Sequence, residues 1–287
     1  MSEMLDGKLE RAESLIVQWH DFHKGNISVS FSGGKDSTAL LHIVRSLYPG
    51  VPAVFADTGL EFPEVRAFVR TIENVQWVRP EMKFREVIRK YGYPVVSKKV
   101  AKMVRVIRDK PGTATANLYE TGYNQAGQFS RNWQLPRKWR ILVDAPFRIS
   151  EQCCDALKRE PLHRVYMETR EAPMTAIMAA DSRARGRTAK NGCNIYSRTR
   201  PVSRPMFDWT TDDVWEYIRR NGVPYSQIYD MGEHNTGCMF CAFGAHLEPD
   251  PNRFQRMERT HPAAHRYCMD KLGLADVLKF IGVRGGE

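Results

Sequence analysis

The sequence holds no apolar run near the roughly 20 residues that span a bilayer, no internal repeat and no low-complexity tract. A membrane-spanning or repeat architecture is therefore not expected. The opening stretch, MSEMLDGKLERAESLIVQWHDFH, lacks the apolar segment and cleavage site of a signal peptide. It reads as a charged amphipathic helix, so a cytoplasmic protein without a membrane partner is expected. Cysteine is scarce, at six residues, and in that compartment six cysteines suggest metal or redox chemistry rather than disulfides. Acid is also in deficit, 33 Asp and Glu against 43 Lys and Arg, which leaves a net charge of +10 and suits polyanionic ligands such as nucleotides and nucleic acids. Neither the Walker spacing nor Gly-x-Gly-x-x-Gly occurs at the Gly-rich loop described next.

The 287 residues can bury a large core. Residues 1–109 alternate helix and strand signals, with strands expected at Ile27–Phe31, 51–57 and 74–78, and such alternation implies parallel strands joined by helices. Residues 110–147 have weak periodicity and read as a long basic insert or lid loop. It carries Arg131, Trp133, Arg137, Lys138, Trp139 and Arg140, which offer a stacking surface for bases or, more simply, buried rings beside solvated cations. A further strand is expected at 172–180. In WTTDDVWEYIRRNG, a helix with Thr210 as cap, Asp213 three residues on and Gly222 at the stop is expected.

The stretch SVSFSGGKDSTALLHIV is a strand, a turn and a helix. Gly33 and Gly34 let backbone approach a ligand closely, Ser37 and Thr38 open a helix whose N–H groups and dipole face the same point, and Lys35 adds a mobile charge. This is an anion cradle. Asp57 and Thr58 end the second strand, where ligands bind in open α/β sheets. Among the cysteines, Cys238 and Cys241 form a Cys-x-x-Cys hook, while the adjacent Cys153 and Cys154 diverge on a helix. An iron–sulfur cluster tolerates that divergence better than a single zinc, although zinc and ordinary thiols stay open. Cys193 reads as a substitute ligand, a nucleophile or a buried thiol, and Cys268 as a core residue.

The loop SGGKDS resembles the pyrophosphate-binding loop of the ATP pyrophosphatase superfamily. ADTGLEFPE, DSRARGR and RPMFDWTTDDVWEYIRRNGVPYSQIYD are similar to segments of its phosphoadenosine phosphosulfate (PAPS) reductase-like branch. The likeness covers about 25–100 and 150–245, leaving 110–147 and the tail without a counterpart. It implies an open, mainly parallel five-stranded α/β sheet flanked by helices, the adenine nucleotide alpha hydrolase-like fold. The implied domains are a nucleotide-binding domain over 1–245 and a helical extension over 246–287. Ser32, Gly33, Gly34, Lys35, Asp36 and Ser37, with Asp57, Thr58, Asp181, Ser182 and Arg183, are implied to hold ATP and Mg²⁺. CCDALKREPL together with GCMFC resembles the [4Fe–4S] site of adenylylsulfate reductases, so Cys153, Cys154, Cys238 and Cys241 are the implied ligands.

The tail lacks the Glu-Cys-Gly-x-His motif with which sulfonucleotide reductases attack sulfur, while the loop keeps the full Gly-Gly-Lys of ATP-using relatives. The combination resembles ATP-dependent, cluster-bearing sulfurtransferases acting on tRNA or DNA. Lys35, Asp36, Arg185 and Cys193 are then the expected catalytic residues, with a persulfide or a donor protein as sulfur source. A sulfonucleotide reductase and a non-catalytic nucleic-acid-binding module with a structural cluster are the alternatives.

Overall fold

The computed structural model describes residues 2–181 and 192–286. The strands among them are β1 (Ile27–Ser30), β2 (Ala53–Ala56), β3 (Val75–Val78), β4 (Val95–Val96), β5 (Ala172–Met174), β6 (Asn194–Ile195), β7 (Val202–Ser203) and β8 (Ala242–Phe243). The chain forms two compact units. One comprises 1–57, 61–79 and 160–236, the other 58–60, 80–159 and 237–287. The expected division at residue 245 follows the sequence, whereas these units are each assembled from three separate stretches.

The first unit holds a six-stranded sheet in the order β3-β2-β1-β5-β7-β6. Five strands run parallel, as expected, and β6 adds a sixth, antiparallel to β7. The short link 196–201 explains the reversal, since a parallel return needs a crossover of a dozen or more residues. The strand expected over 172–180 is confined to its first three residues. Beyond them Thr175 still donates its N–H to Ser203 O, and the chain then turns into a short 3-10 segment, Ala179–Asp181. The N-terminal helix α1 (Ser2–Phe22) buries Leu5, Ala12, Ile16 and Trp19, one face at helical spacing, and Trp19 Nε1 donates to Ala172 O. The helix Thr211–Arg220 carries the capping box expected of it, with Thr210 and Asp213 exchanging hydrogen bonds.

The second unit has its own core. Val100, Met103, Val104 and Ile107 of the helix Lys98–Asp109 pack there with Leu135, Trp139 and Leu142. The last three correct the reading of 110–147 as a loop. That stretch contains a helix, Ala114–Thr121, capped by Thr113, and a 3-10 segment, Arg137–Asp144. Trp139 and Leu142, three apart, share one face of the 3-10 segment, hidden in the sequence by the intervening cations, and Leu135 packs just before it. Trp139 is only 7% exposed, lies edge-on to His246 and carries Lys138 Nζ 4.9 Å from its ring centre, so it is no platform for bases. The helices after residue 246 add Phe254, Met257, Leu274 and Leu278 to the same core. No helix among the described residues is long and apolar enough to cross a membrane.

Candidate functional site

The Gly-rich turn leaves the carboxyl end of β1 and opens a helix, Lys35–Leu47, with Gly34 as its N-cap. The two glycines are required for different reasons. Gly33 has φ +70°, and a Cβ there would come within 2.7 Å of Val69 and 2.8 Å of Val65. Gly34 has φ −85°, which any residue adopts, but a Cβ would run into Thr236 Oγ1 and press on the hydroxyls of Ser32 and Tyr229 at 3.3 Å. The turn is tied from within. Ser32 N–H donates to Ser37 Oγ at 3.1 Å, Gly34 N–H to Ser32 Oγ at 3.3 Å, and the Ser37 and Thr38 hydroxyls both donate to Gly34 O at 2.9 Å. Two amides of the turn, those of Ser32 and Gly34, thus donate to serine hydroxyls.

Two features differ from expectation. Lys35 is not a mobile charge, because its side chain is buried and its Nζ lies 3.0 Å from the carboxylate of Asp36. Tyr229, which sequence reasoning missed, accepts the Lys35 N–H at 2.8 Å. Burial pushes its phenol up to about 12, so the hydroxyl stays protonated at neutral pH. Tyr229 and Thr236 lie about two hundred residues from the loop in sequence; Tyr229 falls within the family-like segment ending PYSQIYD, which does not by itself link it to the loop, and no pattern marks Thr236. The hydroxyl of Tyr229 occupies a donor that a phosphate could use. Tyr229→Phe is therefore expected to tighten triphosphate binding about three- to tenfold, the worth of one freed hydrogen bond, as read by calorimetry. Unchanged or weaker binding would show that the hydroxyl does not compete.

At the end of β2, Asp57 is 4% exposed. Its Oδ2 accepts from Arg66 at 3.0 Å and Arg79 at 3.3 Å, whereas Oδ1 is buried with no partner. An orphaned carboxylate oxygen fits a ligand hydroxyl or a hydrated Mg²⁺. Thr58 begins a local turn, accepting from the Leu60 N–H at 3.2 Å. Asp181 closes the 3-10 segment described above, and Ser182, Arg183 and Arg185 lie outside the described residues.

In the second unit Cys153, Cys154, Cys238 and Cys241 line one cavity, with Lys158 and Phe243 also in its wall. The hook is held by its own turn, Cys241 N–H to Cys238 O at 3.1 Å, and by Met239 N–H to Leu60 O at 2.9 Å. It leads directly into β8, which pairs with β4. The tandem pair sits where a helix passes into a π-helical turn, Asp155–Arg159. Burial and then the neighbouring thiols push the Cys153 thiol up, and burial with Cys238 pushes Cys241 up to about 11. Arg253, clamped by Glu248, donates to Cys241 O at 3.0 Å and opposes that shift. Among the described residues no three His, Cys, Asp or Glu converge as the ligands of a single ion do. Four thiols spread around one cavity fit a cluster, whose irons each take one thiolate, better than a tetrahedral zinc.

Cys193 is not in that wall and belongs to the first unit, just before β6. Burial, with Asp208, raises its thiol, which disfavours the thiolate a nucleophile needs. Cys268 is fully buried in the core of the second unit.

A mainly parallel sheet flanked by helices, with a Gly-rich turn after its first strand, defines an α/β class of protein. Within that class, the phosphoadenosine phosphosulfate reductase domain matches residues 26–108 and 116–243, and the chain belongs to this family. The match includes most of 110–147, which corrects the view of that stretch as an insert without counterpart. The chain is 23% identical over 269 residues to the adenosine 5'-phosphosulfate reductase of Lysinibacillus sphaericus, covering 92% of itself and 93% of that protein. It is 26% identical over 242 residues to the uncharacterized protein MJ0066 of Methanocaldococcus jannaschii, covering 83% of itself but spanning only 40% of that protein's length. Among solved structures, the PAPS reductase of Candida auris in a phosphate complex aligns with a TM-score of 0.47 at 17% identity, over 83% of this chain and 95% of that one. The U34-tRNA thiolase NcsA of Methanococcus maripaludis, with its [4Fe-4S] cluster, aligns with a TM-score of 0.43 at 15% identity, over 94% and 79%.

Proposed function

We propose that this protein is an ATP-dependent sulfurtransferase that adenylates an acceptor, with nucleic acid as the acceptor class, and replaces oxygen with sulfur. The observation that carries the reading is a complete Ser-Gly-Gly-Lys-Asp-Ser cradle in a chain that also gathers four cysteines around one cavity. A substrate without a pyrophosphate leaving group has no use for the full cradle. The backbone and hydroxyls of Ser32–Ser37 bind the leaving pyrophosphate, with Lys35 and Asp36 fixed as an ion pair at its edge. Asp57 orients the nucleotide or its Mg²⁺ through the free Oδ1. An acceptor oxygen attacks the α-phosphorus, and the bond to the β-phosphate breaks, releasing pyrophosphate. The outer sulfur of a donor persulfide then bonds to the acceptor carbon and AMP leaves with the oxygen; a second thiol attacks the donor's inner sulfur, which breaks the S–S bond, releases the thiolated acceptor and leaves a disulfide on the donor side. Cys153, Cys154, Cys238 and Cys241 would hold a [4Fe–4S] cluster, which when bound supplies iron–sulfur chemistry for handling the sulfur. Lys35, Arg183 and Arg185 supply positive charge to the developing phosphate anion. Cys193 is a persulfide carrier only if its raised thiol is deprotonated by a partner.

A second reading, a sulfonucleotide reductase, is favoured by relatives of that name that the chain matches nearly end to end. Against it stands the full Gly-Gly-Lys of the loop, which suits a triphosphate rather than a sulfonucleotide. The third, a non-catalytic nucleic-acid-binding module, predicts neither activity. Acceptor-dependent pyrophosphate release from ATP is the expected result, reduced at least tenfold by Lys35→Ala, the scale of one lost charge contact. Sulfite release from adenosine 5'-phosphosulfate without pyrophosphate release from ATP would replace this reading with the second.

A further inference from the structure

A cleft of about 440 Å³ in the second unit belongs to neither the cradle nor the cysteine cavity. Four cations border it, Arg85 and Arg89 from the helix Phe84–Lys90, Arg148 and Lys271, against one acid, Asp270. Arg85 and Arg89 are four residues apart on that helix and so share a face. Among the described residues Arg85, Arg89 and Lys271 make no ion pair, and all three are exposed. Arg148 is anchored, its guanidinium donating to Lys90 O at 3.0 Å and its carbonyl accepting from the Tyr93 N–H at 2.8 Å. Two half-buried rings, Tyr93 and Phe147, also line the cleft, edge to face at 5.7 Å. Tyr93 is locked by its hydroxyl bond to Leu272 O at 2.7 Å.

Four cations against one lining acid leave the cleft net positive, and a polyanion relieves the repulsion among them. Lone phosphate is far smaller than this cleft, which has the scale of a nucleotide-sized pocket. Cations and aromatic rings lining one cleft match the composition of single-stranded nucleic-acid grooves, where phosphates meet Arg and Lys and bases meet aromatic faces. The stretch 131–140, the other basic region, is partly committed elsewhere. Trp139 is in the core and Arg140 donates to Glu120 O.

We infer that this cleft, bordered by Arg85, Arg89, Arg148 and Lys271, docks a single-stranded segment of nucleic acid. The inference rests on the nucleic-acid acceptor of the proposed function and assigns where that partner binds. The test titrates the parent protein into a fluorescein-labelled single strand of about 20 nucleotides at two salt concentrations, reading anisotropy. Two variants are compared, Arg85→Ala/Arg89→Ala/Lys271→Ala and Arg137→Ala/Lys138→Ala/Arg140→Ala. The first is expected to bind at least tenfold more weakly with a salt slope flatter by about two, since each phosphate contact on a single strand contributes about 0.7. The second is expected to bind like the parent. As all three cleft residues are exposed, thermal melts should coincide, and Lys271→Glu alone should weaken binding in the same direction. No binding by the parent, equal slopes for the cleft variant, or saturation by mononucleotides without strand binding overturns the inference. Strand binding with the expected variant effects but without pyrophosphate release from ATP removes the sulfurtransferase reading and leaves the cleft assigned.

Discussion

Purified without oxygen, the protein is expected to be brown and to carry about four irons per chain, and Cys238→Ala or Cys241→Ala to be colourless with little iron. The hook has no substitute. Its two sulfurs come from one turn that runs directly into β8, and no His, Asp or Glu is among the residues lining the cavity. Loss of either thiolate leaves an iron without its cysteine ligand. Cys154→Ala should act in the same way, being part of the same wall and less buried than Cys153. Cys193→Ala and Cys268→Ala should keep their iron, since neither residue borders the cavity. Iron and zinc analysis with an absorption spectrum decides the matter. Stoichiometric zinc in a colourless parent protein, or iron lost from Cys193→Ala and kept in Cys154→Ala, would overturn this ligand set.

The second large effect concerns the paired glycines of the cradle. Gly34→Val should abolish measurable ATP binding while the fold survives, because its φ of −85° accepts any residue and the conflict is with Thr236, Ser32 and Tyr229 at the mouth of the site. Gly33→Val should instead damage the protein itself. It places a branched side chain at φ +70° against Val65 and Val69, for an expected destabilisation of about 2–4 kcal/mol. Calorimetry with ATP and denaturant unfolding separate the two outcomes. Normal ATP affinity in Gly34→Val would remove the cradle from the nucleotide site. Equal stability of the two variants would show that the turn relaxes around the new side chain.

Much of this was legible in the sequence because it is local. The strand–turn–helix of the cradle, the capping box of Thr210 and Asp213, the amphipathic α1 and the Cys-x-x-Cys turn are each written within a dozen residues, through periodicity and short-range hydrogen bonds. The family segments carried the rest of the α/β assignment. Residues 110–147 read as a loop because the apolar positions of their 3-10 segment, Trp139 and Leu142, are few and crowded with cations, and only the core they enter reveals which ring is buried.

What the sequence by itself determined is therefore the set of parts: a Gly-rich strand–turn–helix, a Cys-x-x-Cys turn and a tandem cysteine pair, a mainly parallel sheet. Tertiary structure alone decided what surrounds them. It brought Tyr229 onto the Lys35 amide from 194 positions away, buried Lys35 against Asp36, and left Asp57 with one oxygen unpaired. It also set the tandem cysteines and the hook on one cavity and turned β6 against β7. These contacts depend on how distant segments pack, a property of the whole chain's burial and hydrogen-bond satisfaction that no short window of residues encodes.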